Sequence, residues 1–189
     1  MATGNDGALT PVHVRKGGEF YRVADQDWTD PLDTGYTKRR GGRWNAPGSF
    51  GVLYLSEDVA TARDFVRHLH AGRPYGPEDL EHPPLLVVVN VPEEEYTDAH
   101  SETGLQALGL PLSYPRTAPA AGDIVPYERC QPIGKQLFDA GELGIACRSA
   151  NAPDGAGAEL AWFDQAGRTG PALTGSRTFE EWYWDTRGS

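Results

Sequence analysis

The hydrophobic positions of this chain fall into short runs that are separated by segments rich in glycine and proline. Residues 85–91 form the strongest run, and its unbroken apolar character is typical of a central strand that is buried on both faces. Pro92 is expected to end that strand, and the acidic residues 93–95 are expected to form a solvated turn. Shorter apolar runs predict further strands at residues 19–23, 52–55, 143–147 and 159–163.

Two stretches have the spacing of amphipathic helices. Residues 57–70 place apolar side chains three and four positions apart, and Ser56 is expected to cap the first turn. The buried stripe of this helix is predicted to consist of Val59, Ala62, Val66 and Leu69. Residues 132–140 predict a second helix, with Pro132 in its first turn and Gly141 at its end.

The remaining segments are predicted to be turns and loops around one domain, since 189 residues suffice for a single hydrophobic core. Residues 1–11 are expected to form a flexible tail. Residues 25–40 are expected to form a long loop that covers a site or wraps the core. In the C-terminal residues 164–189, a cluster of aromatic side chains is expected to pack back onto the domain.

Charge and composition exclude several classes of partner. The formal net charge of −10 argues against a nucleic-acid partner, because phosphate backbones are bound by basic surfaces. The sequence contains neither a secretory signal nor an apolar run of membrane-spanning length, and this predicts a cytoplasmic protein without a membrane partner. Cys130 and Cys147 lack the spacing of metal or redox motifs, so no metal is expected.

Residues 41–56 carry the most informative combination of residue types. Gly41 and Gly42 allow the backbone to approach a ligand closely, and Arg43 suits bidentate binding of a phosphate group. A turn and a short strand follow, and Tyr54 lies on that strand. A surface loop that leads into a core strand has the same pattern, and spacing alone does not separate these two interpretations.

The Arg-Trp-Asn run at residues 43–45 and the Pro-Gly-Ser-Phe-Gly-Val-Leu-Tyr-Leu run at residues 47–55 resemble the signature of the RES domain family. Phe-Tyr-Arg at residues 20–22 resembles the opening strand of that family. The stretch from Gln131 to Phe163 resembles its closing half. These matches occur in the family's order, so residues 20–163 are identified as the core of a RES-like domain at residues 12–189.

The resemblance implies both a fold and an activity. The implied fold is a single α+β domain similar to ADP-ribosyltransferase toxins, with twisted mixed or antiparallel sheets that form a cleft and a few short flanking helices. Studied members of the family are toxins of bacterial toxin–antitoxin pairs, and they consume NAD by degrading it or by transferring ADP-ribose to a protein. NAD or a related dinucleotide is therefore the implied substrate, and an antitoxin or a protein acceptor is a possible partner.

The resemblance also implies roles for individual side chains. Arg22 and Arg43 are expected to hold the pyrophosphate of NAD, and Tyr54 is expected to stack on the nicotinamide. Ser149 matches the family's serine and is expected to hydrogen-bond to the ligand or to the backbone. The other candidates for contact with NAD are Gly42, Trp44, Asn45, Phe65 and Gln131. The candidates for a catalytic role are Arg22, Tyr54 and Asp64.

The sequence departs from the family at the catalytic glutamate, which is expected on the helix after Tyr54. Phe65 occupies that position, and Asp64 beside it points to roughly the opposite side of the helix. Glu57 is the other acid nearby, and helix capping is its expected role. Glu159 is a further candidate for a displaced acid, although a carboxylate at the edge of a strand is the favoured interpretation.

Three functions remain open at this point. The first is an enzyme that cleaves the nicotinamide–ribose bond of NAD as a glycohydrolase, a phosphorylase or an ADP-ribosyltransferase. The second is a relative that binds NAD or another nucleotide without cleaving it, or that acts in a biosynthetic pathway, and Phe65 favours this alternative. The third is a protein-interaction module with a vestigial pocket, and the retained Arg22, Arg43 and Tyr54 argue against it.

Overall fold

The computed structural model describes residues 9–119, 122–152 and 156–185. In these ranges the strands are β1 (His13–Ala24), β2 (Val52–Ser56), β3 (Leu85–Ala99), β4 (Gly144–Arg148), β5 (Ala158–Phe163) and β6 (Ala172–Arg177). The helices are α1 (Gly35–Arg40), α2 (Val59–His70), α3 (Glu102–Ala107), α4 (Tyr127–Asp139) and α5 (Phe179–Trp182), and a 3-10 turn spans Pro77–Asp79.

The strands form one mixed sheet that closes on itself. Their order is β1-β2-β5-β4-β3-β6, and β1 also pairs with β3, so five strands complete a ring. The β3–β4 pair is parallel, and the other pairs are antiparallel. The predicted α+β fold with a mixed sheet and short helices is confirmed, but the predicted cleft between sheets is wrong. The 15 residues of β3 are long enough to pair with β1 on one side and with both β4 and β6 on the other.

The strand β3 continues through Pro92, contrary to the prediction that it ends there. The register of the β1–β3 pair shifts between Lys16 and Gly18, at the level of Pro92. A bulge tolerates proline because the ladder is locally interrupted and one N–H is not needed there. The acidic residues 93–95 therefore lie in the strand rather than in a turn, and Glu93 accepts a hydrogen bond from Arg15 Nε at 2.5 Å.

Side chains alternate between the two faces of the closed sheet and build separate cores. The inner face carries residues from all five ring strands, among them Phe20, Leu53, Leu55, Val89, Ala146 and Leu160. The outer face is covered in one part by α3, α4 and the 41–51 loop, which enclose Trp44, Val52, Leu137, Ile145, Ala161 and Phe163. In another part the outer face is covered by α2 and α5, through Ala62, Val66, Leu86, Phe179 and Trp182.

The helix α2 begins two residues later than predicted and has a different cap. Asp58 caps it by accepting a hydrogen bond from the Thr61 N–H at 2.7 Å, so the expected cap Ser56 is wrong. Glu57 is not part of the cap and instead accepts a hydrogen bond from Lys16 Nζ at 2.7 Å. The predicted stripe also ends early, because Leu69 in the last turn is 46% exposed.

Arg63 joins α2 to the end of the described chain. Its buried guanidinium donates hydrogen bonds to the carbonyl oxygens of Trp182, Tyr183 and Asp185 at 3.1, 2.7 and 2.6 Å. Trp182 and Tyr183 are buried, whereas Trp184 is exposed. The described C-terminal residues therefore pack against α2.

Other predicted segments differ in extent from the observed elements. The long loop at residues 25–40 contains α1, and the C-terminal segment contains the unpredicted strand β6. The helix α4 begins at Tyr127, so Pro132 lies inside it rather than in its first turn. Residues 1–8 of the predicted tail lie outside the described residues. Among the described residues, none of the helices has the length and apolar character needed to cross a membrane.

Candidate functional site

The 41–51 loop is held in one shape by buried hydrogen bonds. Gly41 has a φ of 76°, which favours glycine, and a Cβ there would lie 2.8 Å from the Pro47 ring. Asn45 is fully buried, and its Nδ2 donates to the carbonyl oxygens of Thr37 and Phe50 at 2.8 and 2.9 Å. The loop is thus attached to both α1 and the start of β2.

Tyr54 on β2 lies directly beneath this loop. Its hydroxyl accepts a hydrogen bond from the Trp44 N–H at 3.0 Å and donates one to Asn45 Oδ1 at 2.9 Å. Burial raises the pKa of Tyr54 well above its usual range, so the side chain is a neutral phenol. A Cβ at Gly42 would lie 2.5 Å from the Tyr54 hydroxyl oxygen, so only glycine allows this close approach.

The helix α4 supports the loop from the other side. Gln131 Nε2 donates a hydrogen bond to the Gly42 carbonyl at 2.9 Å. At Gly134 a Cβ would lie 1.8 Å from the Trp44 carbonyl oxygen, which is incompatible with the present packing. Gln131 and Gly134 together place the loop against the helix, with Gly42 between α4 and Tyr54.

Arg43 lies between the loop and the beginning of α4. Its Nη1 donates to the Val125 carbonyl at 3.0 Å, and its guanidinium carbon is 5.1 Å from the centre of the Tyr127 ring. The guanidinium is partly buried and has five N–H donors, so most of them remain available to a ligand. The N-terminus of α4, which has no side-chain cap, adds partial positive charge beside it.

Glu159 brings a carboxylate to the same face of the sheet. Tyr54 on β2 pairs with Ala161 on β5, and Glu159 is two residues before Ala161, so both side chains lie on the outer face. Ser149 Oγ donates to Glu159 Oε1 at 2.5 Å, and Asn151 Nδ2 lies 3.3 Å from the same oxygen. Burial raises the pKa of Glu159, although both donors and the Arg43 charge oppose the shift.

The favoured interpretation of Glu159 as a strand-edge carboxylate is wrong. The strand β5 is paired with β2 on one side and with β4 on the other, so it is not an edge strand. Glu159 is opposite Ser56 on β2 and Cys147 on β4. The sequence could not predict that Glu159 lies on a strand with two paired neighbours, because strand order is a property of the whole fold.

Arg22 lies on the opposite face of the sheet from Tyr54. Tyr21 pairs with Ser56, which shares its face with Tyr54, so the neighbouring Arg22 points to the inner face. Its guanidinium carbon is 5.3 Å from the centre of the Trp28 ring. Burial lowers the pKa of Arg22, and the charges of Asp33 and Asp30 oppose the shift. The structure therefore does not bring Arg22 together with Arg43 and Tyr54.

The two candidates on α2 also lie away from Tyr54. Phe65 packs partly buried in the core between α2 and α5, against the cluster that contains Phe179 and Trp182. Asp64 accepts a hydrogen bond from Arg67 Nη1 at 3.3 Å within the same helix. Neither side chain is in the group formed by Arg43, Tyr54 and Glu159.

The remaining candidates are divided between accessible and buried positions. Gly42, Arg43, Tyr54 and Gln131 keep some exposed surface, whereas Trp44, Asn45 and Ser149 are fully buried and support their neighbours. Sequence reasoning overlooked Tyr114, whose buried hydroxyl has no hydrogen-bond partner among the described residues. Its ring centre is 6.0 Å from that of Trp44. The described residues also contain no cluster of histidine, cysteine and acidic side chains suited to a metal ion.

The fold and the site define an α+β protein in which a closed mixed sheet carries a polar site on its outer face, beneath a glycine-rich loop. The chain belongs to the RES domain family, whose family model matches residues 19–183, so the resemblance in the sequence is confirmed. The crystal structure of the M. tuberculosis MbcT-MbcA toxin–antitoxin complex matches with a TM-score of 0.72 and 20% identity, over 90% of this chain and 91% of that chain. At that identity the likeness shows the fold alone. A comparison with curated proteins gives no match.

Proposed function

We propose that this chain is an NAD-consuming enzyme that cleaves the bond between nicotinamide and ribose. The observation that carries the proposal is the grouping of Arg43, Tyr54 and Glu159 on one face of the sheet, in a chain of the RES domain family. The group offers a cation for the pyrophosphate, an aromatic ring for the nicotinamide and an acid for the ribose. The ADP-ribosyltransferase-like fold and the cytoplasmic location are part of the proposal.

The residues present fit a dinucleotide. Arg43 uses one N–H on the Val125 carbonyl and can offer a pair of parallel N–H donors to a phosphate. Gly42 exposes backbone next to Tyr54 without a side chain in the way. The Tyr114 hydroxyl is buried near Arg43 and lacks a hydrogen-bond partner among the described residues, which is unusual for a buried polar group.

The chemistry explains why these three groups are needed together. Cleavage passes through an oxocarbenium-like transition state, as in glycoside hydrolysis, and nicotinamide leaves as a neutral molecule. Positive charge grows on the ribose while the rest of the substrate must stay fixed, so binding of the pyrophosphate contributes through positioning. The acceptor that then reaches the ribose cation decides between hydrolysis, phosphorolysis and ADP-ribosyl transfer.

The test is incubation of the purified protein with NAD, with and without phosphate and a cell extract, followed by mass spectrometry of the products. Free nicotinamide is expected in each case, together with ADP-ribose, a phosphorylated product or a modified protein according to the acceptor. Arg43→Ala is expected to reduce nicotinamide release steeply, and Arg73→Ala is its matched control, because Arg73 also lies over a tyrosine ring but belongs to the exposed segment after α2. Absence of nicotinamide release from NAD and from other pyridine nucleotides contradicts the proposal.

The second candidate is a nucleotide-binding relative without turnover. It is favoured by Phe65, because the helix position of the family's glutamate carries a hydrocarbon ring in a packed core. Calorimetry that shows micromolar binding of NAD, with no product by chromatography, supports this candidate over the first. A protein partner of the antitoxin type is compatible with either, since the M. tuberculosis structure with this fold is a toxin–antitoxin complex.

A further inference from the structure

Glu159 is a partly buried acid on the same face of the sheet as Tyr54, and the family pattern assigns it no role. We infer that Glu159 is the catalytic carboxylate of this chain and faces the ribose of the substrate in place of the missing acid on α2. This inference rests on the proposed function and names the residue that completes it.

The register of the sheet places Glu159 within reach of a ligand held by Tyr54. The two residues form a diagonal pair on neighbouring antiparallel strands, and such pairs are about 7–8 Å apart. This separation suits a substrate whose nicotinamide ring lies on Tyr54 and whose ribose lies one bond further along. The charge of Arg43 lowers the pKa of both Glu159 and Tyr54, against the larger effect of burial, so Arg43 is close enough to act on each of them.

The hydrogen bonds of Glu159 leave one carboxylate oxygen free. Ser149 Oγ and Asn151 Nδ2 both point to Oε1, and Oε2 accepts no hydrogen bond within the described part of the chain. Ser149 is fully buried and its backbone N–H is bonded to the Gly157 carbonyl at 2.6 Å, so its own position is fixed. Ser149 is therefore a positioning residue that orients Glu159 and leaves Oε2 to a ligand.

A purely structural carboxylate looks different in this same fold. Asp98 at the end of β3 accepts hydrogen bonds from the His100 and Ser101 N–H groups at 2.7 and 3.0 Å, and from the Ser101 hydroxyl. Both of its oxygens are used, and these donors lower its pKa despite burial. Glu159 accepts hydrogen bonds from two side-chain donors and none from the backbone, and its burial raises its pKa, which is the arrangement expected of an acid whose remaining partner is a substrate.

The other acids near α2 are engaged elsewhere. Asp64 is bonded to Arg67, and Glu57 is bonded to Lys16 on β1. Phe65 fills part of the core between α2 and α5. These contacts leave Glu159 as the acid that shares the outer face with Tyr54.

The reaction balances with water as the second reactant. The bond between ribose C1′ and the nicotinamide nitrogen breaks, and its electron pair stays on that nitrogen and neutralises the pyridinium charge. The Glu159 carboxylate stabilises the positive charge on C1′, a water oxygen forms the new bond to C1′, and the carboxylate accepts the water proton. The products are nicotinamide, ADP-ribose and one proton released to solvent.

The experiment compares kcat and KM for nicotinamide release by the wild type, Glu159→Gln, Ser149→Ala, Asp64→Asn and Glu142→Gln. Glu159→Gln keeps the shape and the hydrogen bonds to Ser149 and Asn151, so kcat is expected to fall by about 100-fold or more while KM changes by less than about threefold. Ser149→Ala is expected to lower kcat by about tenfold through loss of orientation. Glu142→Gln is the matched control, because Glu142 is a partly buried carboxylate bonded to His13 and Thr97 at a distance from the site.

The outcomes separate this inference from the proposed function. If the wild type releases nicotinamide and Glu159→Gln retains a kcat within about twofold, the inference is wrong while the proposed function stands. If kcat falls in Asp64→Asn and not in Glu159→Gln, the catalytic carboxylate is Asp64 on α2, and the inference is again wrong. A wild type that releases no nicotinamide overturns both. Should Glu159→Gln show no cooperative melting transition, Glu159→Asp carries the test, and its retracted carboxylate is expected to lower kcat by about tenfold or more.

Discussion

The two arginines that the sequence assigns to one site lie on opposite faces of the sheet. Arg43 is on the outer face, donates one hydrogen bond to a carbonyl and lies over the ring of Tyr127. Arg22 is on the inner face, over the ring of Trp28, with Asp30 and Asp33 as its nearest charges. Each guanidinium lies over an aromatic ring, but Arg43 shares the outer face with Tyr54 and Glu159, whereas Arg22 lies on the other face near two aspartates.

The two faces of the sheet differ in how many polar groups they leave accessible to a ligand. On the outer face a backbone rich in glycine leaves polar groups within reach of a ligand, and the polar network is organised around Tyr54 and Asn45. The inner face carries apolar side chains from all five ring strands, and Nη1 of Arg22 is buried there without a hydrogen-bond partner among the described residues. The inner face is therefore expected to contribute to stability more than to binding.

The largest expected effect separates the two arginines directly. Arg43→Ala is expected to lower kcat/KM for nicotinamide release by about 100-fold, since a charged bidentate contact with phosphate is worth about 2–3 kcal/mol. Arg22→Ala is expected to lower it by less than about tenfold. The measurement is a steady-state assay of nicotinamide, with the melting temperature recorded for each variant.

Equal losses in the two arginine variants, without a drop in melting temperature for Arg22→Ala, contradict this comparison. Such a result means that one ligand contacts both faces of the sheet. Arg43→Lys sharpens the test, because a lysine keeps the charge but cannot form the bidentate contact.

The next effect concerns the contact between the loop and Tyr54. Gly42→Ala introduces a methyl group at 2.5 Å from the Tyr54 hydroxyl oxygen, so either the loop or the ring must move. A destabilisation of about 1–3 kcal/mol is expected, together with a loss of activity, and urea denaturation measures the first of these. Gly175→Ala on β6 is the matched control, because a Cβ there meets no atom within 4 Å.

A smaller effect tests the structural carboxylate Asp98. Its pKa is lowered on folding, so its stabilising contribution is present above the unfolded pKa, near 3.8, and is lost as the pH falls through the folded value. Asp98→Asn is expected to lower the free energy of unfolding by about 1–2 kcal/mol at pH 7. A penalty that stays constant down to pH 2 contradicts this assignment, and denaturation at several pH values measures it.

The smallest expected effect has the opposite sign and belongs to Glu159. Because its pKa is raised on folding, the folded state loses stability as the pH rises from the unfolded value near 4.5 through the folded one. Arg43, Tyr114 and Cys147 are the ionisable groups that face it. Glu159→Gln is expected to be slightly more stable than the wild type at pH 8 and indistinguishable at pH 4. A less stable Glu159→Gln at pH 8 indicates a structural role.

Local patterns in the sequence predicted several elements because their causes lie within a few residues. The apolar run at β3, the three-and-four spacing in α2 and the glycines beside Arg43 each reflect contacts along one segment. The closure of the sheet was not predictable in this way, since it depends on β1 pairing with two strands that are distant in sequence. A bulge likewise lets β3 pass through Pro92, and it forms only when β1 and β3 are paired.

The same limit applies to the site. The loop and Tyr54 are close in sequence, and their grouping follows from a short turn. Arg22 and Glu159 each lie more than thirty residues from Tyr54, and strand alternation together with strand order decides which face each one occupies. The sequence around Arg22 therefore could not predict whether its side chain would lie on the inner or the outer face of the sheet.

The acceptors of Arg63 are backbone carbonyl groups that lie 119, 120 and 122 residues further along the chain. A carbonyl group is an acceptor whatever side chain its residue carries, so substitutions of Trp182 or Tyr183 leave these acceptors in place. Replacement of the single guanidinium removes all three donors at once, and position 63 is therefore more sensitive to substitution than any one of its three partners.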